Sequence, residues 1–220
     1  MIEAVLFDMD GLMVDTESLA TKAWQNAAKK QNFEMTVEET LYVLGMAKSS
    51  IYPFWKEYYK NKPEIDTIKL TDDHYKYIEE VLYTTGPKKM PYVEELLQYL
   101  NENNYKIAVA SSSELNHIKN NMEKTKLIEY LDAIASGEEV KQGKPAPDVF
   151  LLAAKRLGVK PENCLVLEDS KFGLMAAKKA GMYAIMVPDM FKVDEEATNL
   201  ADKIVTNLGE VINYIEESNS

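Results

Sequence analysis

Cysteine, histidine and arginine are almost missing from this 220-residue chain. It has one Cys (Cys164), two His (His74 and His117) and one Arg (Arg156, against 24 Lys). A single cysteine excludes a disulfide framework and a Cys-rich zinc or iron–sulfur site. Two histidines make a multi-His metal centre unexpected. Positive charge is also short: 25 basic residues face 36 acidic ones, a formal charge of −11. That balance argues against nucleic acid as a partner, because such surfaces displace phosphate counterions with Lys and Arg. Long apolar runs are missing too. The N-terminus, Met1-Ile2-Glu3-Ala4-Val5-Leu6-Phe7-Asp8, has an acid where a signal peptide has a base. No stretch approaches the roughly 18 apolar residues of a membrane span. The expectation is a soluble, cytoplasmic protein with no membrane or nucleic-acid partner. The excess of Lys over Arg reads as a coding preference without functional meaning.

What is present is a β/α alternation. Short apolar runs stand at Val5–Phe7, Ile107–Ala110, Ala133–Ala135, Leu165–Leu167, Ala184–Val187 and Ile204–Val205. Helical patterns lie between them at Pro91–Asn101, Leu115–Lys124, Pro147–Leu157 and Lys171–Ala180, with Gly158 and Gly181 as stops for the last two. Continuous apolar runs of this length, alternating with helices, are the mark of buried parallel strands. Residues 15–85 are different: helical periodicity throughout, rich in aromatics, with no convincing strand. The expected fold is therefore α/β, a Rossmann-like parallel-sheet core (1–14 and 86–220) with an inserted α-helical cap (15–85). The apolar helical positions of the cap, including Trp24, Phe54, Trp55, Tyr58 and Tyr59, are expected to be core. His74 and His117 are expected to be surface or capping residues, and Cys164 an inert core thiol. The last 32 residues carry 2 Lys and 8 acidic residues, away from every motif.

Open parallel sheets bind ligands beyond the carboxyl ends of their strands. Asp8-Met9-Asp10-Gly11 follows the first run, Ser111-Ser112-Ser113 the second, Gly143-Lys144-Pro145 comes after the third, and Glu168-Asp169-Ser170 follows the fourth. Carboxylates, a hydroxyl and an ammonium at one sheet edge suit phosphoryl transfer, which needs a nucleophile, a proton for the leaving oxygen and positive charge for the phosphoryl oxygens. Asp8 and Asp169 beside a phosphate dianion put four negative charges in one pocket. Lys144 returns only one positive charge. Like charges roughly 4 Å apart cost about 4 kcal/mol at an effective dielectric near 20, so a hard divalent cation is implied. Each motif has a plainer use as well. Asp-x-Asp-Gly is common in turns, Ser111–Ser113 could cap the helix that follows, and Asp169-Ser170 could cap the next one.

Taken in order, Phe7-Asp8-Met9-Asp10-Gly11-Leu12 with Asp15-Thr16-Glu17, Ala110-Ser111-Ser112-Ser113, Gly143-Lys144-Pro145-Ala146-Pro147-Asp148, and Leu167-Glu168-Asp169-Ser170 with Gly173 resemble the haloacid dehalogenase-like hydrolases. Within that superfamily they resemble the β-phosphoglucomutase/phosphoglycolate-phosphatase-like group with a helical cap. The resemblance implies a catalytic set of Asp8, Asp10 and Lys144. Asp8 would be the nucleophile that becomes an aspartyl phosphate, and Asp10 the acid and base. Mg²⁺ would be held by the Asp8 and Asp169 carboxylates and the Asp10 main-chain carbonyl. Ser111, Ser112 and Lys144 would hold phosphate, and Glu168 would order Lys144 or metal-bound water. Gly11 would permit the turn from core to cap, and Thr16 and Lys48 would be the cap residues facing substrate.

Asp10 argues against a dehalogenase or a phosphonatase. Ala20 stands where mutase-like relatives usually carry a His, which favours a hydrolase. The expected function is a Mg²⁺-dependent phosphatase for a small phosphorylated metabolite, a sugar phosphate among the candidates, with a β-phosphoglucomutase-like sugar phosphomutase as the alternative. A phosphorylatable signalling receiver shares Asp, Ser/Thr and Lys, but its chain is about half as long and its Asp follows a middle strand. Oligomeric state and substrate identity have no code in the sequence.

Overall fold

Every strand pairing in the sheet is parallel, so every strand end that carries a motif lies at one edge. The computed structural model describes residues 1–44, 46, 48–189 and 194–219. In chain order its elements are β1 (Ala4–Phe7), α1 (Thr16–Lys29), α2 (Val37–Leu41), α3 (Lys48–Tyr58), α4 (Thr67–Thr84), α5 (Val93–Glu102), β2 (Lys106–Ser111), α6 (Leu115–Lys124), β3 (Ala133–Ser136), α7 (Asp148–Leu157), β4 (Cys164–Glu168), α8 (Lys171–Lys179), β5 (Tyr183–Met186), α9 (Glu195–Leu200), β6 (Lys203–Ile204) and α10 (Glu210–Asn219). The chain divides into two compact units, Met1–Asp15 with Lys88–Ser220, and Thr16–Pro87. No described helix is long and apolar enough to cross a membrane.

The first unit is a Rossmann-like α/β layer structure. Its six described strands run in the order β3-β2-β1-β4-β5-β6. The chain leaves β1 towards β2 and β3 on one side and returns to β4 on the other. That makes the β1/β4 boundary a topological switch point, where such sheets bind ligands. Side chains alternate between two apolar layers. Val5, Phe7, Ile107, Val109, Leu165, Leu167 and Ile185 pack with the α5 residues Val93, Leu96, Leu97 and Leu100. Ala4, Leu6, Ala108, Ala110, Val166 and Ala184 pack with Val149, Phe150, Ala153 and Ala154 of α7 and Leu174, Ala176 and Ala177 of α8. Burial on both faces explains why these strands read as continuous apolar runs. Cys164 is fully buried at the start of β4, and burial pushes its thiol up to about 12, which leaves it unreactive.

Most element boundaries shift by a residue or two from expectation, and one shift has a clear cause. The helix expected from Pro91 starts at Val93, because Tyr92 is left-handed, with φ 64°, and a helix cannot propagate through it.

Among the described residues, the second unit is four helices around Trp24, Ala27, Ala28, Val43, Ile51, Trp55, Tyr59 and Leu70. Trp24 and Trp55 meet edge to face at 5.4 Å. Tyr58 is the exception among the expected core aromatics, being 43% exposed. His74 corrects the sequence expectation. It is not at the surface but buried, stacked on Trp24 with ring centroids 3.7 Å apart. Leu70 and His74 are four residues apart and so share the buried face of α4.

Candidate active site

The edge ladder places Asp8. Its N–H donates to Leu167 O at 3.0 Å, which carries the β1–β4 pairing one residue past the strand. The N–H groups of Leu12, Met13 and Val14 then all donate to Met9 O, closing a compact turn. Gly11 sits in that turn with φ +78°, a conformation costly for any residue bearing a Cβ.

Lys144 comes from the loop before α7 and bridges two carboxylates. Its ammonium donates to Asp8 Oδ1 and, at 2.6 Å, to Glu168 Oε1. All three are buried: 7% of the Lys144 side chain is exposed, 12% of Asp8 and none of Glu168. Burial alone would lower the Lys144 pKa, but Asp8 and Glu168 outweigh it and hold the ammonium charged. Asp8 is driven towards its neutral form instead. Burial, with Glu168 and Asp10 nearby, pushes its carboxyl up to about 7 despite Lys144. Two carboxylates share one cation, so the pocket is short of positive charge.

Glu168 is itself clamped. Its Oε2 accepts from Ser170 N (2.9 Å) and Ser170 Oγ (2.8 Å), and Ser170 Oγ caps α8 by accepting from Gly173 N at 3.1 Å. A Cβ on Gly173 would lie 1.7 Å from Glu168 Oε1. Only a glycine lets the first turn of α8 cover that carboxylate.

The serine turn does something other than cap a helix. Glu114 is the N-cap residue of α6 and makes no side-chain cap bond. Ser111, buried at the end of β2, accepts from Ser113 N at 3.1 Å. Ser113 Oγ donates to Asp10 Oδ2 at 2.9 Å. Ser112 is exposed. So Asp10, expected to act as acid and base, is oriented by a serine that the motif reading left without a role.

Asp169 is 5% exposed, and its Oδ2 lies 2.6 Å from where a Gly11 Cβ would be. Asp189 Oδ2 lies 3.5 Å from that same point. Asp189 belongs in sequence to the acidic tail, which reads as remote from every motif; the loop after β5 returns it to the sheet edge instead.

Residues 5–187 match the haloacid dehalogenase-like hydrolase family. The chain belongs to that family. This haloacid dehalogenase-like protein is 32% identical over 186 residues to a phosphorylated carbohydrates phosphatase of Thermotoga maritima, a match covering 84% of each chain. It is 31% identical over 192 residues to a β-phosphoglucomutase of Bacillus subtilis, covering 84% of this chain and 83% of that one. In structure it is similar to a hydrolase of the same family from Deinococcus radiodurans, solved with bound phosphate and sodium, with a TM-score of 0.85 and 26% identity over 99% of this chain and 96% of that one.

The donors at this edge suit a hard cation. Asp8 and Asp169 offer buried carboxylates, and the Asp10 carbonyl could add a third oxygen. Mg²⁺ takes oxygen ligands, keeps several waters and needs only one or two carboxylates. Among the described residues no three His, Cys, Asp or Glu side chains form a cage on their own, and a two-carboxylate set does not call for one. The uncompensated negative charge around Asp8 is what such an ion would neutralise.

The two cap candidates belong to the other unit. Thr16 opens α1, and Lys48 opens α3 with its ammonium 4.3 Å from the centre of the Tyr75 ring. Gly45 and Ala47, which flank Met46 just before Lys48, lie outside the described residues.

Proposed function

We propose that this haloacid dehalogenase-like protein is a Mg²⁺-dependent phosphatase of a small phosphorylated metabolite, working through an aspartyl phosphate on Asp8. The observation that carries this is the bridge from Lys144 to Asp8 and Glu168 at the sheet's switch point. Lys144 keeps Asp8 aimed at one position, and its remaining donor capacity can meet a phosphoryl oxygen. Asp8 would attack phosphorus. Asp10, held by Ser113, would protonate the departing oxygen, then take a proton from the water that opens the acyl phosphate. The Ser111–Ser113 turn would steady the phosphoryl oxygens. Asp8, Asp169 and the Asp10 carbonyl would hold Mg²⁺, which when bound supplies the positive charge that lets a carboxylate approach a phosphate.

The relatives named for carbohydrate phosphates support a sugar phosphate as substrate. The β-phosphoglucomutase relative supports the mutase alternative, against which stands Ala20 in place of the usual His. A screen of phosphorylated metabolites for phosphate release, with and without Mg²⁺, tests the proposal. Release must require Mg²⁺ and vanish in Asp8→Asn. Release at the normal rate from Asp8→Asn sinks it. Isomer conversion that depends on a bisphosphate activator, without net phosphate release, selects the mutase.

A further inference from the structure

We propose that Arg156, the single arginine of the chain, is a positioning residue for the Ser111–Ser113 turn and for Asp10. The inference rests on the phosphatase reading of that edge. Arg156 lies in the last turn of α7, 17 residues from its partner. Its guanidinium takes Glu139 with two parallel bonds, Nη1 to Oε2 at 2.9 Å and Nη2 to Oε1 at 2.7 Å, and Nη1 also donates to Ile134 O of β3. β3 is the sheet's edge strand, so the arginine serves one of its unpaired carbonyls. The same Glu139 Oε2 accepts Ser136 N at 3.0 Å. Ser136 is fully buried, and its Oγ donates to Ser113 O at 2.6 Å. Ser113 Oγ in turn holds Asp10.

Four polar contacts thus lead from Arg156 to Asp10, through Glu139 and Ser136, which no motif contains, and Ser113, the last residue of the serine turn. The packing is tight as well as polar. A Cβ on Gly137 would lie 2.7 Å from Ser112 O and 2.9 Å from Ser112 Cα, so the 136–139 turn rests directly on the backbone of the serine turn. Glu139 is held down to about 2 by Arg156 first and the Ser136 N–H as well, so it stays a charged acceptor at any working pH. A lysine cannot copy this, because it has a point charge where the site uses a planar fork. In a chain with 24 lysines, the one arginine stands where bidentate geometry is needed.

The test compares Arg156→Lys, Ser136→Ala and the double variant, assayed on p-nitrophenyl phosphate with Mg²⁺. Inorganic phosphate serves as competitive inhibitor, and melting temperature is recorded. Each single change is expected to raise KM and the inhibition constant of phosphate together, by about fivefold or more, near 1 kcal/mol. The double variant should be no worse than the worse single, because both cut one relay. Lys178→Met, which breaks the Lys178–Asp202 ion pair elsewhere on this unit, should leave KM unmoved. An Arg156→Lys protein with wild-type KM and phosphate inhibition overturns the proposal. So does a drop in melting temperature alone, or additive single effects. A wild type that neither hydrolyses nor binds phosphate overturns the phosphatase reading along with it.

Discussion

Glu168 Oε1 receives the Lys144 ammonium at 2.6 Å from a fully buried position, at the end of the strand next to the one that carries Asp8. Lys144 therefore bridges a buried anchor and the nucleophile candidate, and the charge on Glu168 is expected to keep it there. Truncating Glu168 leaves Lys144 paired with Asp8 but takes the acceptor from the Ser170 N–H and hydroxyl, and a buried donor left unsatisfied costs about 1–3 kcal/mol. Glu168→Ala should lower unfolding stability by that order, measured by denaturant titration. Glu168→Gln keeps the shape and an acceptor but not the charge. It should unfold near the wild-type midpoint while kcat falls about tenfold or more, near 1.4 kcal/mol of barrier. A Gln variant with wild-type kcat would show that Lys144 is placed without Glu168.

Gly173→Ala approaches the same carboxylate from the helix side. The new methyl cannot share space with an oxygen 1.7 Å away, so either Glu168 or the first turn of α8 must move. Overpacking of this kind costs about 1–3 kcal/mol, and here it also pulls Glu168 from Lys144. The expected result is a kcat loss at least as large as that of Glu168→Gln, with a lower melting temperature. The combined Gly173→Ala/Glu168→Gln variant should be no slower than Gly173→Ala alone.

What could be seen in the sequence follows physical lines. Asp8, Ser111 and Glu168 were visible because each ends a continuous apolar run, and parallel strands bring such ends to one edge. Lys144 was visible only through its neighbours in the resemblance, since a Gly-Lys-Pro loop has no periodicity of its own. Ser136, Glu139 and Arg156 were invisible: they are ordinary loop and helix-end residues whose meaning lies in contacts across 17 and 23 positions. Asp189 was hidden by the acidic stretch around it. The burial of His74 had a signal in the sequence, because Leu70 and Thr71 mark the buried face of α4 on which it also lies.

Ser113 separates orientation of Asp10 from anion contact. Its hydroxyl gives Asp10 a hydrogen bond at 2.9 Å, and such bonds to a charged acceptor contribute about 1.5–3 kcal/mol. Ser113→Ala should cut kcat on an aryl phosphate by about tenfold or more through loss of proton transfer. An activated substrate whose leaving oxygen needs no proton should show a smaller loss. Equal losses on both substrates would place Ser113 in phosphate holding instead.

Metal dependence should be legible at Asp169. Chelation with EDTA is expected to abolish phosphate release, and Mg²⁺ to restore it. Asp169→Asn keeps the side-chain size but weakens the oxygen donor. Disturbing even the outer contacts of a metal site costs about 10–100-fold in affinity, so half-activating Mg²⁺ should rise at least that much, and direct Mg²⁺ titration by calorimetry should weaken in step. An unchanged Mg²⁺ requirement would remove Asp169 from the site.

The helical unit should lose stability in acid through His74. Burial against Trp24 lowers its pKa from 6.5 to about 3, and its Nδ1 has no hydrogen-bond partner among the described residues. The folded state therefore keeps the ring neutral, while the unfolded chain takes up a proton near pH 6.5. The sign follows: stability is complete above about pH 6.5 and falls as pH drops towards 3, by about 1.4 kcal/mol per pH unit, so near 5 kcal/mol across the window. Both tryptophans of the chain, Trp24 and Trp55, lie in this unit's core, so tryptophan fluorescence reports its unfolding selectively. Denaturant midpoints read that way should drop from pH 7 to pH 4 in the wild type. His74→Phe, which keeps a ring against Trp24 and has no proton to gain, should flatten that slope. An equally steep slope in the Phe variant would assign the acid sensitivity to carboxylates instead.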